Sequence, residues 1–207
     1  MKIPYGRFAM SRNFCIFAQI LCFSLMQENN QIVVDGLTFV PYLRQEEIAS
    51  QVKRVAAEIA RDYEGKSPRF LCVLTGAFVF ASDLIRATGL NESKISFIRY
   101  KSYEGTSSTG TVKQIIGLPD GIEGEDVIIV EDIVDTGLTA VRMIEDLKEK
   151  KPASVRFATL LYKPESSQTG FVPDYVAFDI PPKFIIGYGL DLDGKARNIP
   201  DIYVIKE

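Results

Sequence analysis

Thirteen residues, Val127-Ile-Ile-Val-Glu-Asp-Ile-Val-Asp-Thr-Gly-Leu-Thr139, constrain this chain more than any other stretch. Val127 to Val130 are four consecutive β-branched residues, which fits a central strand buried on both faces of a parallel sheet. Glu131 and Asp132 follow at its end. Adjacent carboxylates there repel each other and lose hydration, so something must neutralise or hydrogen-bond them. Vicinal ribose hydroxyls and a divalent cation are suitable partners, because carboxylates accept hydrogen bonds and bind hard ions. Asp135-Thr136-Gly137-Leu138-Thr139 then bends into a helix. Successive backbone N–H groups at such a bend point at one spot, the helix N-terminus adds positive potential, and two threonine hydroxyls can donate; the result is a phosphate cradle. Asp-Thr-Gly alone reads as a solvated acidic turn before a Thr-capped helix. The whole ordered run of strand, acid pair, bend and helix is what points to a ligand. No GxxxxGK[ST] and no GxGxxG is present, so nucleoside-triphosphate and dinucleotide sites lack their usual support.

Around this segment, strand-like and helix-like runs alternate, the pattern of a mostly parallel sheet flanked by helices. Ile48, Val52, Val55, Ala56 and Ile59 fall at helical spacing and predict an amphipathic helix over Gln45–Tyr63, broken by Ser67-Pro68. Phe70–Leu74 predicts a buried strand, Thr75-Gly76-Ala77 a tight turn, and Phe78–Arg86 a helix. Strands are predicted over Lys94–Lys101 and Thr111–Leu118, with a polar loop, Ser102–Gly110, between them. A helix over Leu138–Lys150, with Val141, Ile144 and Leu147 inward, precedes a strand over Ser154–Tyr162. From Asp174 the pattern changes to short strands (Tyr175–Phe178, Phe184–Tyr188, Ile202–Ile205), which predicts a small β-rich hood built from 37–44 and 174–207. Ligands of such sheets bind beyond the carboxyl ends of the strands, here after Leu74, Val130 and Leu161.

Composition narrows the chemistry. With no histidine in 207 residues, Ser-His-Asp triads, HExxH zinc sites and imidazole bases are excluded, and proton transfer falls to carboxylates, lysine, tyrosine or water. Three cysteines, Cys15, Cys22 and Cys72, are too few and scattered for a disulfide framework or zinc cluster, which suits a reducing, cytoplasmic setting. The formal net charge of −3 and the absence of a basic run argue against nucleic acid as a partner. Phe14–Met26 follows Lys2, Arg7 and Arg12 and superficially reads as a secretory signal, but Gln19 and Ser24 interrupt it and no small-residue cleavage site follows. It is also too short to span a membrane. Residues 1–26 are therefore expected to be an upstream extension, with Met26 opening the native domain over 27–207 and a cleaved leader as the alternative.

VIIVEDIVDTGLTA resembles the binding signature for phosphoribosyl pyrophosphate (PRPP) of type I phosphoribosyltransferases, more specifically the hypoxanthine-guanine branch. IRYKSYEG…STG (98–110) is similar to that branch's mobile catalytic loop, LLYKPE (160–165) to its base-recognition strand, and PDYVAFDIPPKFIIGYGLDLDGKARNIP (173–200) to its hood. The likeness runs from about Leu37 to the C-terminus. It implies a phosphoribosyl transfer from PRPP to a 6-oxopurine with Mg²⁺, in a homodimer or homotetramer. Glu131 and Asp132 are implied to hold the ribose hydroxyls and the metal, and Asp135 to act as base at purine N7. Thr136, Gly137, Leu138 and Thr139 would hold the 5′-phosphate. Lys163 would donate to O6, Phe184 would stack on the base, and the Ile185 carbonyl would meet its 2-position edge. Asp191 would bind a second Mg²⁺ beside the purine site, Arg197 would contact pyrophosphate, and Ser102 and Tyr103 would close over the reacting centre. The family commonly has lysine-glycine after the Phe70–Leu74 strand; here Thr75-Gly76 leaves a cation missing, so backbone N–H groups and the Thr75 hydroxyl would serve pyrophosphate instead. A non-proline cis peptide at Leu74–Thr75 is also implied. Alternatives are a transferase for another base such as xanthine, a PRPP synthetase, and a regulator of this fold binding nucleotide and RNA.

Overall fold

The computed structural model describes residues 30–102 and 112–206. Ten strands, three α-helices and one 3₁₀ turn are found there. The chain opens with a hairpin of β1 (Ile32–Val34) and β2 (Leu37–Leu43). Asp35 and Gly36, at φ 49° and 78°, supply the paired left-handed residues that a two-residue hairpin turn requires. Helix α1 (Gln45–Asp62) buries Ile48, Val52, Val55, Ala56 and Ile59, the stripe expected from their spacing. Its first turn is capped twice: Glu47 accepts from the Arg44 N–H at 2.9 Å, and Asp201, distant in sequence, accepts from the Gln45 N–H at 2.8 Å.

A six-stranded sheet forms the centre, in the order β5 (Val112–Ile116), β4 (Lys94–Ser102), β3 (Arg69–Val73), β6 (Asp126–Val134), β7 (Ser154–Tyr162), β8 (Tyr175–Asp179). Every neighbouring pair is parallel except β4 with β5. Side chains alternate between two layers, as strand geometry requires. Phe70, Cys72, Ile128 and Val130 pack with α1 and α2 (Phe78–Thr88) on one face. Leu71, Val73, Val127 and Ile129 pack with Met143 and Leu147 of α3 (Leu138–Lys148) on the other. Val127 to Val130 are wholly inaccessible; each such side chain contributes on the order of 1.5–3 kcal/mol. A mostly parallel sheet and a separate antiparallel one match the arrangement that the resemblance implies.

That second sheet is the hood, ordered β1-β2-β10-β9, with β9 at Ile185–Ile186 and β10 at Ile202–Ile205. Its small core joins Phe39, Ile186 and Tyr203. The hood differs from expectation at both boundaries. β8, expected within it, is the edge of the main sheet, because Tyr175 and Ala177 bury against the α1 layer while the strand pairs in parallel with β7. β1, outside the expected range, belongs to it. The strand expected over Phe184–Tyr188 stops at Ile186, since Gly187, Tyr188 and Gly189 all take positive φ and turn the chain away. The central strand is longer than its apolar run and carries Glu131 and Asp132 within it, Glu131 beside Thr159 of β7. In α3, Ala140, Met143 and Leu147 are the buried residues, a rotation of the face expected from Val141 and Ile144. Among the described residues no helix is long and apolar enough to cross a membrane.

Candidate active site

Residues at the carboxyl ends of β3, β6 and β7 meet: Asp132 lies against Gly76 and Lys163 reaches Asp135, while the turn expected to be a phosphate cradle leads into α3. Gly137 takes φ 82°, a left-handed conformation that glycine adopts without steric penalty, and is the N-cap of the helix. No side chain caps this turn, so its backbone N–H groups remain available to a ligand. The Thr136 hydroxyl makes only a long contact, 3.4 Å, with the Leu138 N–H. Behind the bend stands a wall that the sequence did not suggest. Gln168 donates to the Thr136 carbonyl at 3.0 Å, and a Cβ on Gly137 would overlap Thr169 Oγ1. The bend is therefore held from behind and uncapped at its helical end.

Glu131 and Asp132 are half-buried, and among the described residues neither has an ion-pair partner. Burial pushes the Glu131 carboxyl well above the usual carboxylate range, reinforced by the adjacent Asp132 charge. Burial raises Asp132 as well, opposed by hydrogen bonds and by the positive charge of Arg197. Two acids in this state are short of positive charge, which fits a divalent cation or sugar hydroxyls as the missing partners. Among the described residues no three acidic or thiol side chains converge, so Glu131, Asp132 and Asp191 do not form one protein-only metal site.

The turn after β3 contains the cis peptide, between Leu74 and Thr75. Thr75 is exposed and Gly76 half-buried. The Asp132 carboxylate lies directly over Gly76, and the hood reaches the same peptide from elsewhere: a Cβ on Gly189 would overlap the Gly76 carbonyl oxygen. Gly189 and Arg197 exchange hydrogen bonds, the Gly189 N–H donating to the Arg197 carbonyl at 2.9 Å and Arg197 Nη1 to the Gly189 carbonyl at 2.6 Å. Arg197 also pairs with Asp191 at 2.6 Å, and Asp191 accepts from the Gly194 N–H at 2.6 Å. Acid pair, turn and hood arginine thus form one contiguous set.

After β7, Lys163 Nζ donates to Asp135 Oδ2 at 2.7 Å. The Lys163 side chain is only 11% exposed, whereas that of Asp135 is 46% exposed, so the pair presents its carboxylate outward. Phe184 is half-exposed on the hood and tilted against Phe39, ring centres 6.2 Å apart. Ile185 beside it is buried and pairs with Val204. Leu138 is exposed and Thr139 half-buried at the head of α3. Ser102 closes β4 in the backbone ladder; Tyr103, and the extension expected at residues 1–26, lie outside the described residues. Sequence reasoning missed Gly189, Thr169 and Tyr188, whose hydroxyl donates to Asp83 of α2 at 2.7 Å. The Gly187-Tyr-Gly189 run was the available signal for the first.

The family model described as the phosphoribosyl transferase domain matches residues 41–193. The chain belongs to this family. Relatives of this phosphoribosyltransferase include the hypoxanthine-guanine phosphoribosyltransferase of Streptococcus thermophilus, 42% identical over 164 residues, which are 79% of this chain and 91% of the relative. The hypoxanthine-guanine-xanthine phosphoribosyltransferase of Tritrichomonas foetus is 40% identical over 176 residues, 84% of this chain and 95% of its own. Among solved structures, a hypoxanthine-guanine phosphoribosyltransferase from Bacillus anthracis superposes with a TM-score of 0.77 at 40% identity, covering 81% of this chain and 98% of that one. The span of the family model takes in α1 to α3, the whole six-stranded sheet and β9.

Proposed function

We propose that this phosphoribosyltransferase moves the 5-phosphoribosyl group of PRPP onto hypoxanthine or guanine, releasing pyrophosphate and forming IMP or GMP in purine salvage. The observation that carries this reading is the Lys163–Asp135 pair beside an uncapped phosphate-binding turn. An ammonium and a carboxylate 2.7 Å apart match the O6 acceptor and N7–H donor along one edge of a 6-oxopurine. A 6-amino group at the same place would meet the ammonium donor to donor. The relatives named above support the same chemistry.

In the reaction, purine N9 attacks ribose C1, the C1–oxygen bond to pyrophosphate breaks, and the N7 proton passes to Asp135. Positive charge develops on the sugar ring, where the Glu131 and Asp132 carboxylates stabilise it while holding the 2′ and 3′ hydroxyls. Mg²⁺, when bound, neutralises charge on the leaving pyrophosphate. Thr136 to Thr139 hold the 5′-phosphate. The Thr75–Ala77 backbone and Arg197 hold the pyrophosphate, Phe184 stacks on the base, and the Ile185 carbonyl faces its 2-position edge. Asp191, paired with Arg197 at 2.6 Å, would hold the second metal ion. The enzyme acts in the cytoplasm as a homodimer or homotetramer. Support for assembly comes from the solved hypoxanthine phosphoribosyl transferase of Trypanosoma cruzi, 38% identical to this chain, whose C-terminal region has a role in its oligomeric state and enzymatic activity.

A spectrophotometric assay with PRPP, Mg²⁺ and each of hypoxanthine, guanine, xanthine and adenine tests the reading. Turnover of hypoxanthine or guanine, with adenine inert, is the expected result. Silence with all four bases, or preference for adenine, would overturn it.

A further inference from the structure

Gly76 lies at the centre of the contiguous set described above, and its φ is outside the left-handed region, so no backbone conformation demands glycine there. The reason is steric. A Cβ built on Gly76 would penetrate the Asp132 carboxylate, with Cγ only 2.5 Å and Oδ1 3.0 Å away. To make room the carboxylate would have to rotate off its present contacts. Its Oδ1 accepts from the Ile133 N–H at 3.0 Å, and Glu131 is its neighbour. From the hood, Gly189 closes on the Gly76 carbonyl; a Cβ there would lie 3.3 Å from the Gly76 carbonyl carbon and overlap its oxygen. The Gly76 peptide is thus held between the strand that carries the acids and the segment that carries Arg197.

We infer that Gly76 is a positioning residue: the missing side chain is the seat in which Asp132 rests, and Gly189, pressed on the same peptide, fixes that seat relative to the hood. The inference rests on the proposed function for its choice of ligand but not for its geometry. The turn therefore does more than offer N–H groups to pyrophosphate; it sets where the ribose-facing carboxylate stands. This also explains how the site tolerates threonine at position 75. The exposed residue can vary, whereas the glycine after it cannot carry a methyl group without moving Asp132.

The test is a double-mutant cycle of Gly76→Ala with Asp132→Ala, read by calorimetric binding of Mg·PRPP, by purine KM at saturating PRPP, and by melting temperature. Gly76→Ala should weaken PRPP binding by about tenfold or more while leaving the purine KM within about twofold. In the Asp132→Ala background the same substitution should change PRPP affinity by less than about twofold, because the group it displaces is gone. The melting temperature should follow the same pattern, falling for Gly76→Ala alone and recovering in the double variant to that of Asp132→Ala. Parental PRPP affinity in Gly76→Ala, or an equal loss in both backgrounds, overturns the inference. Should the parent itself ignore Mg·PRPP, the proposed function fails, and the melting-temperature cycle alone decides the seat: equal destabilisation in both backgrounds refutes it.

Discussion

Asp135 and Lys163 are separated by 28 positions in the chain and meet at 2.7 Å, one nearly buried and one half-open to solvent. Removing the proton acceptor without changing its shape, Asp135→Asn, should lower kcat by about 10²–10⁴, the usual scale for loss of a general base, with PRPP affinity little altered. Steady-state kinetics with PRPP and hypoxanthine as varied substrates measure both. Lys163→Ala should weaken 6-oxopurine binding by roughly 1–3 kcal/mol, seen as a raised KM, and narrow the gap between hypoxanthine and adenine. Competition of the two bases for the variant checks that. At this scale the sequence was generous with candidates and silent on pairings. Glu131, Asp132 and Asp135 stand out because they follow a run of β-branched residues, yet nothing in their spacing says that Asp135 meets Lys163, or that Asp191 is held by Arg197. Side chains brought together by strand order are not neighbours in the chain.

Helix α3 owes its open N-terminus to Gly137, which must adopt φ 82° with Thr169 against the space a Cβ would fill. Gly137→Ala should therefore destabilise the fold by about 1–2 kcal/mol for the left-handed conformation alone. That corresponds to a drop of roughly 3–6 °C in melting temperature for a chain of this size, and it should weaken binding of the 5′-phosphate. Calorimetry with and without PRPP separates the two effects. Elements with an unbroken period were readable: α1 from its apolar stripe, β7 from Ser154 to Tyr162, the centre of β6 from Val127 to Val130. Where period and partner disagree, the reading failed. β8 carries the same short-strand signature as the hood, and only its parallel pairing with β7 assigns it to the main sheet. β9 ends early because three successive residues with positive φ follow it, a property of Gly187 and Gly189 that apolar pattern does not convey.

Across the whole molecule, the amino ends of the sheet strands are tied by Glu125, which accepts from buried Arg69 of β3 and from Lys94 of β4. The hydrogen bond from Arg69 foremost, then that from Lys94, brings the Glu125 carboxyl from its ordinary 4.5 down to about 2. A lowered folded-state pKa means that the stabilisation is complete above the unfolded value and fades as pH falls from 4.5 toward 2. Glu125→Gln should thus lower the melting temperature by roughly 5 °C near neutral pH. The difference should shrink through that acid window and vanish only below its lower end. Thermal melts of parent and variant across the range check it. Strand order was the least legible property at this scale, since β5 turning antiparallel and the hood drawing on both ends of the domain follow from contacts distant in sequence. Within that hood, β10 is hydrogen-bonded to β2 on one side and β9 on the other, so segments far apart in the chain share one sheet. Removing Ile202–Ile205 would therefore leave β2 and β9 without the neighbour that joins them, while every pairing of the six-stranded sheet stays in place.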